Sequence, residues 1–128
     1  MIKELQKEIH KNAVSKGFYD KGQNFGTSLM LVVSELGEAI EAHRKNEWCD
    51  MKAFNEVLIS EQFDFETCFK KYVKDTVQDE VADAFIRILD MCEYYGIDLQ
   101  KHVELKMEYN AKRERLHGKK YQVFKTRS

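Results

Sequence analysis

An all-α fold, a bundle of four main helices with a short helical insertion, is predicted by three features of the sequence. Proline is absent, so no position forces a break in a helix. β-branched residues are scattered rather than gathered into alternating runs, and apolar residues recur at three- and four-residue spacing over long stretches. Helix boundaries are left to glycines and polar turn clusters.

The first amphipathic segment runs from Ile2 to about Lys16, with Leu5, Ile9 and Val14 near helical spacing. It gives way at Gly17 to the turn-rich GFYDKGQNFG. A second helix is expected to start near Thr27 or Ser28, either a suitable N-cap, and to run to about Asn46. From Asp50 to Lys74 the pattern breaks into shorter helical pieces, with Phe65, Phe69, Tyr72 and Val73 on one face. The longest helix spans about Asp75 to Tyr95 and is stopped by Gly96. Asp98 then caps a last main helix reaching about Leu116, ahead of Gly118, and the final ten residues are expected to be loosely structured. No internal repeat or low-complexity linker interrupts the chain.

With 128 residues and 43% hydrophobic content the chain suits one domain, 1–128, with a real core. Its 21 basic and 22 acidic residues leave a net charge of -1, so there is no global attraction to nucleic acid or to an acidic membrane. Charge is local instead: acids concentrate between Glu35 and Glu93, while the stretch from Lys112 to Ser128 is basic. Cys49, Cys68 and Cys92 are odd in number and widely spaced, which argues against a disulfide framework or a zinc site and fits a reducing cytoplasm. The opening MIKELQKEIHK is too polar for a signal sequence, and the longest apolar run, Leu29 to Val33, is too short for a bilayer.

Two carboxylate pairs stand where a core is expected. On the second helix, at about 100° per residue, Leu31, Val32, Ala39 and Ala42 fall within about 60° of Glu35, placing this acid inside the apolar stripe. Glu38 projects beside it, one turn on. On the helix that follows the insertion, Glu80 borders a stripe made by Val77, Val81, Ala84, Ile88 and Met91, and Asp83 repeats the arrangement one turn along. Either pair alone is commonplace on a charged helix, where such acids reach solvent. An acid inside its stripe, matched by a second pair, calls for positive charge between the helices. Hard divalent cations such as magnesium favour carboxylate oxygens and retain waters and substrate phosphates as their other ligands. On the last main helix Lys106, Asn110 and Arg113 fall within about 60° of one another beside Leu99 and Val103, a stripe suited to phosphate oxygens.

The segments SLMLVVSELGEAIEAHRK, DEVADAFIRILD and KMEYNAKRERLHGKKY resemble the MazG-like family of all-α nucleoside triphosphate pyrophosphohydrolases, relatives of the dimeric dUTPases, over most of the chain. The resemblance implies a magnesium enzyme, with manganese as a substitute, that cuts nucleoside triphosphates to monophosphate and pyrophosphate in the manner of nucleotide-pool house-cleaning. Metal ligands in that family come from E-x-x-E followed by E-x-x-D, here Glu35, Glu38, Glu80 and Asp83. The family's K-x-x-x-N-x-x-R element corresponds to Lys106, Asn110 and Arg113, and the following HGKKY supplies Lys119 and Tyr121 for the substrate. A homodimer or homotetramer is implied as well, its interface contributing to the pocket and completing the bundle. One departure is the longer stretch between Glu38 and Glu80, with extra sequence from Trp48 to Lys74 that could line or lid the pocket.

Within this scheme the helices carrying Glu35 and Glu80 pack antiparallel and the four carboxylates converge near one end of their contact. Glu35 is the candidate for orienting or deprotonating the attacking water, because apolar surroundings should raise its basicity most. Glu38, Glu80 and Asp83 are chiefly metal ligands, and Lys106, Arg113 and Lys119 hold phosphate oxygens. Trp48 is read as packing more readily than as a nucleobase platform, Cys92 as core, and the E-x-x-H of Glu114 and His117 as coincidence, since di-iron bundles need two such motifs. Ser34, His10 and His43 offer no nucleophile and base spacing. A non-enzymatic helical interaction module and a nucleic-acid binder using the basic end are the competing classes. The first gives no reason for Glu35 in an apolar stripe, and the second lacks aromatic interleaving. Base and sugar preference, the phosphorus attacked, dimer versus tetramer and the role of the insertion stay open.

Overall fold

A computed structural model describes residues 1–115. They form six helices and no strand: α1 (Ile2–Ser15), α2 (Phe25–Arg44), α3 (Met51–Ile59), α4 (Phe65–Tyr72), α5 (Val77–Tyr94) and α6 (Leu99–Ala111). The all-α class and the helical insertion, α3 with α4, are as expected. Lys119, Tyr121, His117 and the last ten residues lie outside the described residues.

Side-chain caps start five of the six helices. Asn24, Asp50, Asp64, Thr76 and Asp98 each accept a hydrogen bond from the backbone N–H three residues on, satisfying a donor that has no partner within the helix. Asn24 corrects the expected start of α2: the helix begins at Phe25, ahead of Thr27, because the asparagine rather than Thr27 or Ser28 takes the capping role. At the other end of α5, Gly96 adopts φ +72. Gly96 N–H then reaches the Glu93 carbonyl and Ile97 N–H the Cys92 carbonyl, closing the helix C-terminus in a left-handed turn.

The organising element is α5, which packs against both α2 and α1. Its pairing with α2 is antiparallel: Val77 N–H donates to the Glu47 carbonyl at 2.9 Å, while at the far end Phe25 meets Tyr95 edge to face at 4.8 Å. Val32, Ala84 and Met91 form the centre of this interface, with Ile88 and Tyr95 packed against them. Gln6 ties α1 to the end of α5 by donating to Glu93 Oε1 and to the Ile97 carbonyl, each at 3.0 Å. The insertion folds on itself, Phe54 of α3 meeting Phe65 of α4 at 6.1 Å, with Phe54 and Cys68 buried between the two helices. Lastly, α6 packs along α1 and buries no residue. No described helix is long and apolar enough to cross a membrane.

Gly96 gives a direct check on this frame. A Cβ built there meets nothing within 4 Å, so Gly96→Ala should suffer only the left-handed backbone cost of about 1–2 kcal/mol. Urea unfolding of the variant should show that loss with an unchanged m value.

Candidate metal centre

Close packing of α2 on α5 is possible because Ala39, Ala42 and Ala84 are small and buried, and the acids beside them are brought together as a result. Glu35, Glu38 and Glu80 each place a carboxylate oxygen within 4.8 Å of the others. Glu35 and Glu80 are buried, at 8% and 5% exposure, whereas Glu38 is exposed. Glu35 Oε2 and Glu80 Oε2 are buried with no hydrogen-bond partner, an unfavourable state unless something else meets them. Asp83, the fourth expected ligand, is not part of this trio; it lies one turn further along α5 and lines a cavity together with Glu35.

Sequence reading missed Arg87. Its Nε donates to Glu35 Oε1 at 2.8 Å, so the acid inside the apolar stripe already has a cationic partner from α5. Arg87 lies seven residues after Glu80, two helical turns on and on the same face. That spacing was the available signal, hidden because the arginine sits in the apolar run AFIRIL.

This ion pair corrects the expected basicity of Glu35. Burial pushes its carboxyl up, but the hydrogen bonds from Arg87 and from the neighbouring acids outweigh burial and hold it below the ordinary carboxylate range. Glu80 takes the opposite place: burial, then hydrogen bonding and repulsion from Glu38, push its carboxyl up to about 8. Asp83 is raised too, by burial and then by the charges of Asp79 and Glu35. The trio therefore retains a proton at neutral pH on the side of Glu80, away from Arg87.

Two cavities flank the acids. The larger, about 590 Å³, lies between α1, the connection into α2, and the α2–α5 pair, and includes Glu35, Asp83 and Arg87 in its wall. The smaller, about 330 Å³, is lined by Glu38, Glu41, Lys45, Glu47, Asp75 and Glu80 near the start of α5. In the wall of the larger cavity, Asp90 Oδ1 sits 2.8 Å from His10 Nδ1, and Tyr19 is stacked on Tyr94 at 4.6 Å and crossed by His10 at 4.7 Å. Burial and the adjacent Asp90 raise the Tyr19 hydroxyl, which stays neutral.

Lys106 and Asn110 are exposed on α6, and Arg113 is partly buried. Lys106 and Arg113 lie over the Tyr109 ring, each at 5.3 Å, and none of the three lines either cavity. α6 ends at Ala111, short of the expected Leu116, so Arg113 lies past the C-cap Lys112 and meets Lys106 only through the Tyr109 ring; α6 follows α1 and carries neither to the acids of its own chain. Trp48 is half exposed, donates to Asn46 Oδ1, crosses His43 at 5.9 Å and lines neither cavity. The three cysteines are unpaired, Cys68 and Cys92 being buried.

The donor set fits a hard divalent cation. All the ligands on offer are carboxylate oxygens, two of them buried without partners, which suits magnesium or manganese and not a soft metal. Comparison with protein-family models, with curated proteins and with solved structures returns no match to this chain.

A group raised in the folded state contributes stability that is present below its unfolded pKa and lost as pH rises through its folded value. For Glu80, raised from 4.5 to about 8, the metal-free protein should lose stability between those pH values. Glu80→Gln should flatten this fall and be more stable than wild type at pH 8 in chelator. Thermal melts across that range check it; a variant destabilised at pH 8 would mean that the Glu80 charge is satisfied as it stands.

Proposed function

We propose that the chain is a magnesium-dependent nucleoside triphosphate pyrophosphohydrolase of the MazG-like kind, releasing nucleoside monophosphate and pyrophosphate. The observation that carries this reading is the convergence of Glu35, Glu38 and Glu80 from two antiparallel helices, with two buried oxygens that meet no partner beyond the acids themselves. A protein that needed these acids only for packing would leave them desolvated for no return.

In this reading Glu35, Glu38 and Glu80 hold the cation, and Asp83 joins from the cavity side. A bound divalent cation would neutralise charge on the leaving pyrophosphate and acidify a coordinated water. Before a cation binds, Arg87 holds Glu35 through Oε1 alone, and Oε2 is left to accept a hydrogen bond from the attacking water and orient it. Glu35 thus serves as an orienting acceptor rather than as a group of unusually high basicity. Lys106, Asn110 and Arg113, with Lys119 and Tyr121, would hold phosphate oxygens and the nucleotide from a second copy of the chain.

A homodimer or homotetramer is part of the same reading. Leu29, Val33, Leu36 and Ile40 recur on α2 at alternating four- and three-residue spacing and are each about half exposed. That is the pattern of a helix seam. The same exposed face also favours a second reading, a non-enzymatic helical interaction module. Free thiols suit a cytoplasmic setting.

Incubating the protein with a panel of natural and modified nucleoside triphosphates and magnesium should yield monophosphate and pyrophosphate from at least one, and chelation should stop it. Release of inorganic phosphate and diphosphate would overturn the assignment, and no turnover of any member would leave the interaction module. Lys106→Ala and Arg113→Ala should each lower kcat/KM by about tenfold, the worth of one charge-assisted hydrogen bond, with helicity intact. Leu36→Glu should reduce the assembly to a smaller species in analytical ultracentrifugation.

A further inference from the structure

Arg87 stands on the wall shared by the acid trio and the larger cavity. Only its Nε is engaged, by Glu35; among the described residues neither Nη has a hydrogen-bond partner. The side chain is 43% exposed, against 11% for Glu35. A guanidinium held at a single point is free to present its remaining donors elsewhere.

The cavity at its side, about 590 Å³, is of the size that small-molecule sites take. Ile9, Leu31, Ile86 and Met91 give it apolar walls, and Phe18 and Tyr19 add aromatic ones. Asn12 and Gln23 bring amides to the same space. An apolar ligand would leave the Arg87 donors and Asp83 desolvated and unpartnered. A bare anion would leave the apolar walls wet. A ligand with a planar, partly apolar body, polar edges and an anionic end satisfies both halves.

We propose that this cavity is the compartment for the nucleoside part of the substrate and that Arg87 anchors its phosphate, exchanging Glu35 for a phosphate oxygen. This rests on reading the acid trio as the cation site of a nucleotide-cleaving protein. Glu35 Oε1 and a phosphate oxygen compete for one guanidinium, whose planar donors match phosphate as well as carboxylate. While Glu35 has only Arg87 to neutralise it, the arginine is retained and the surrounding acids repel phosphate. A cation held by Glu35 would neutralise it and leave Arg87 free for the phosphate.

Binding of nucleoside 5′-monophosphates and of ribose 5-phosphate, measured calorimetrically in chelator, tests this without any hydrolysis. Glu35→Gln should bind the monophosphates about tenfold more tightly than wild type, the worth of one charge-assisted contact. The gain should disappear in Glu35→Gln/Arg87→Gln. Glu38→Gln removes the same charge without freeing Arg87 and should gain much less. Ribose 5-phosphate, which lacks the base, should bind Glu35→Gln about tenfold more weakly than the nucleotides do. Ile86→Trp, which fills the cavity from a half-exposed position, should erase that preference. A gain that survives loss of Arg87, or that Glu38→Gln reproduces, overturns the anchor; equal affinity for ribose 5-phosphate and nucleotides overturns the compartment. Nucleotide binding with these differences but without hydrolysis would refute the enzyme reading alone. Hydrolysis with affinities unmoved by the substitutions would refute this inference alone.

Discussion

Burial of Glu80 against Glu35 and Glu38 is the constraint around which the α2–α5 pair is arranged. Three alanines let the two helices approach, and close approach is what places carboxylates from different helices within a few ångströms. Desolvation and mutual repulsion both oppose this arrangement. Two partial compensations are built in: Arg87 takes the charge of Glu35, and the high proton affinity of Glu80 removes a charge from the pair it makes with Glu38. Neither satisfies Glu35 Oε2 or Glu80 Oε2. A core centred on Val32, Ala84 and Met91 is a small return for that cost, so metal-free stability should respond strongly to whatever neutralises the acids.

The parts legible in the sequence were those governed by local periodicity. Glu35 could be placed in an apolar stripe because the residues around it repeat at helical spacing, and the structure buries it. The two carboxylate pairs, the stop at Gly96 and the cap at Asp98 were readable for the same reason. The start of α2 was not, since the glycine-rich GQNFG looks like turn until Asn24 is seen to accept the Thr27 N–H. Arg87 escaped because its partner is 52 residues away, and an arginine in a helix usually reaches solvent. For Lys106 and Asn110 periodicity placed both on α6, while Arg113, expected on the same stripe, falls past the helix end at Ala111. Periodicity carried no information about which helix that face would meet, and α6 lies along α1 instead of at the acids.

That placement leaves much apolar surface without cover inside one chain. Leu29, Val33, Leu36 and Ile40 on α2, Val81 and Phe85 on α5 and Leu105 on α6 are all substantially exposed. The α3–α4 hairpin buries Phe54 and Cys68 but exposes Ile59, Phe63 and Phe65. Exposed apolar surface on several helices is what a partner's surface would cover. If copies of the chain supply the cover, folding stability and protomer concentration cannot be separated, and the helix bearing Lys106 gains a route to acids that its own chain denies it.

Charge balance at the centre joins these observations. Counting Asp83, four carboxylates face one guanidinium and share one retained proton, which leaves two negative charges that the described residues do not neutralise. By this count Arg87 covers Glu35 and the proton covers Glu80, so the remaining charges fall on exposed Glu38 and half-buried Asp83, beside the buried pair. Arg87 is unsuited to serve as a permanent structural clamp: it binds through a single Nε contact and remains partly exposed, where a stabilising pair would be bidentate and enclosed. A compact divalent cation fits the residual charge, and its arrival would make the arginine redundant as a counter-charge. The same arginine borders the only large cavity among those described that also reaches the acids, so the group freed by neutralising the trio is already positioned to receive an anion there.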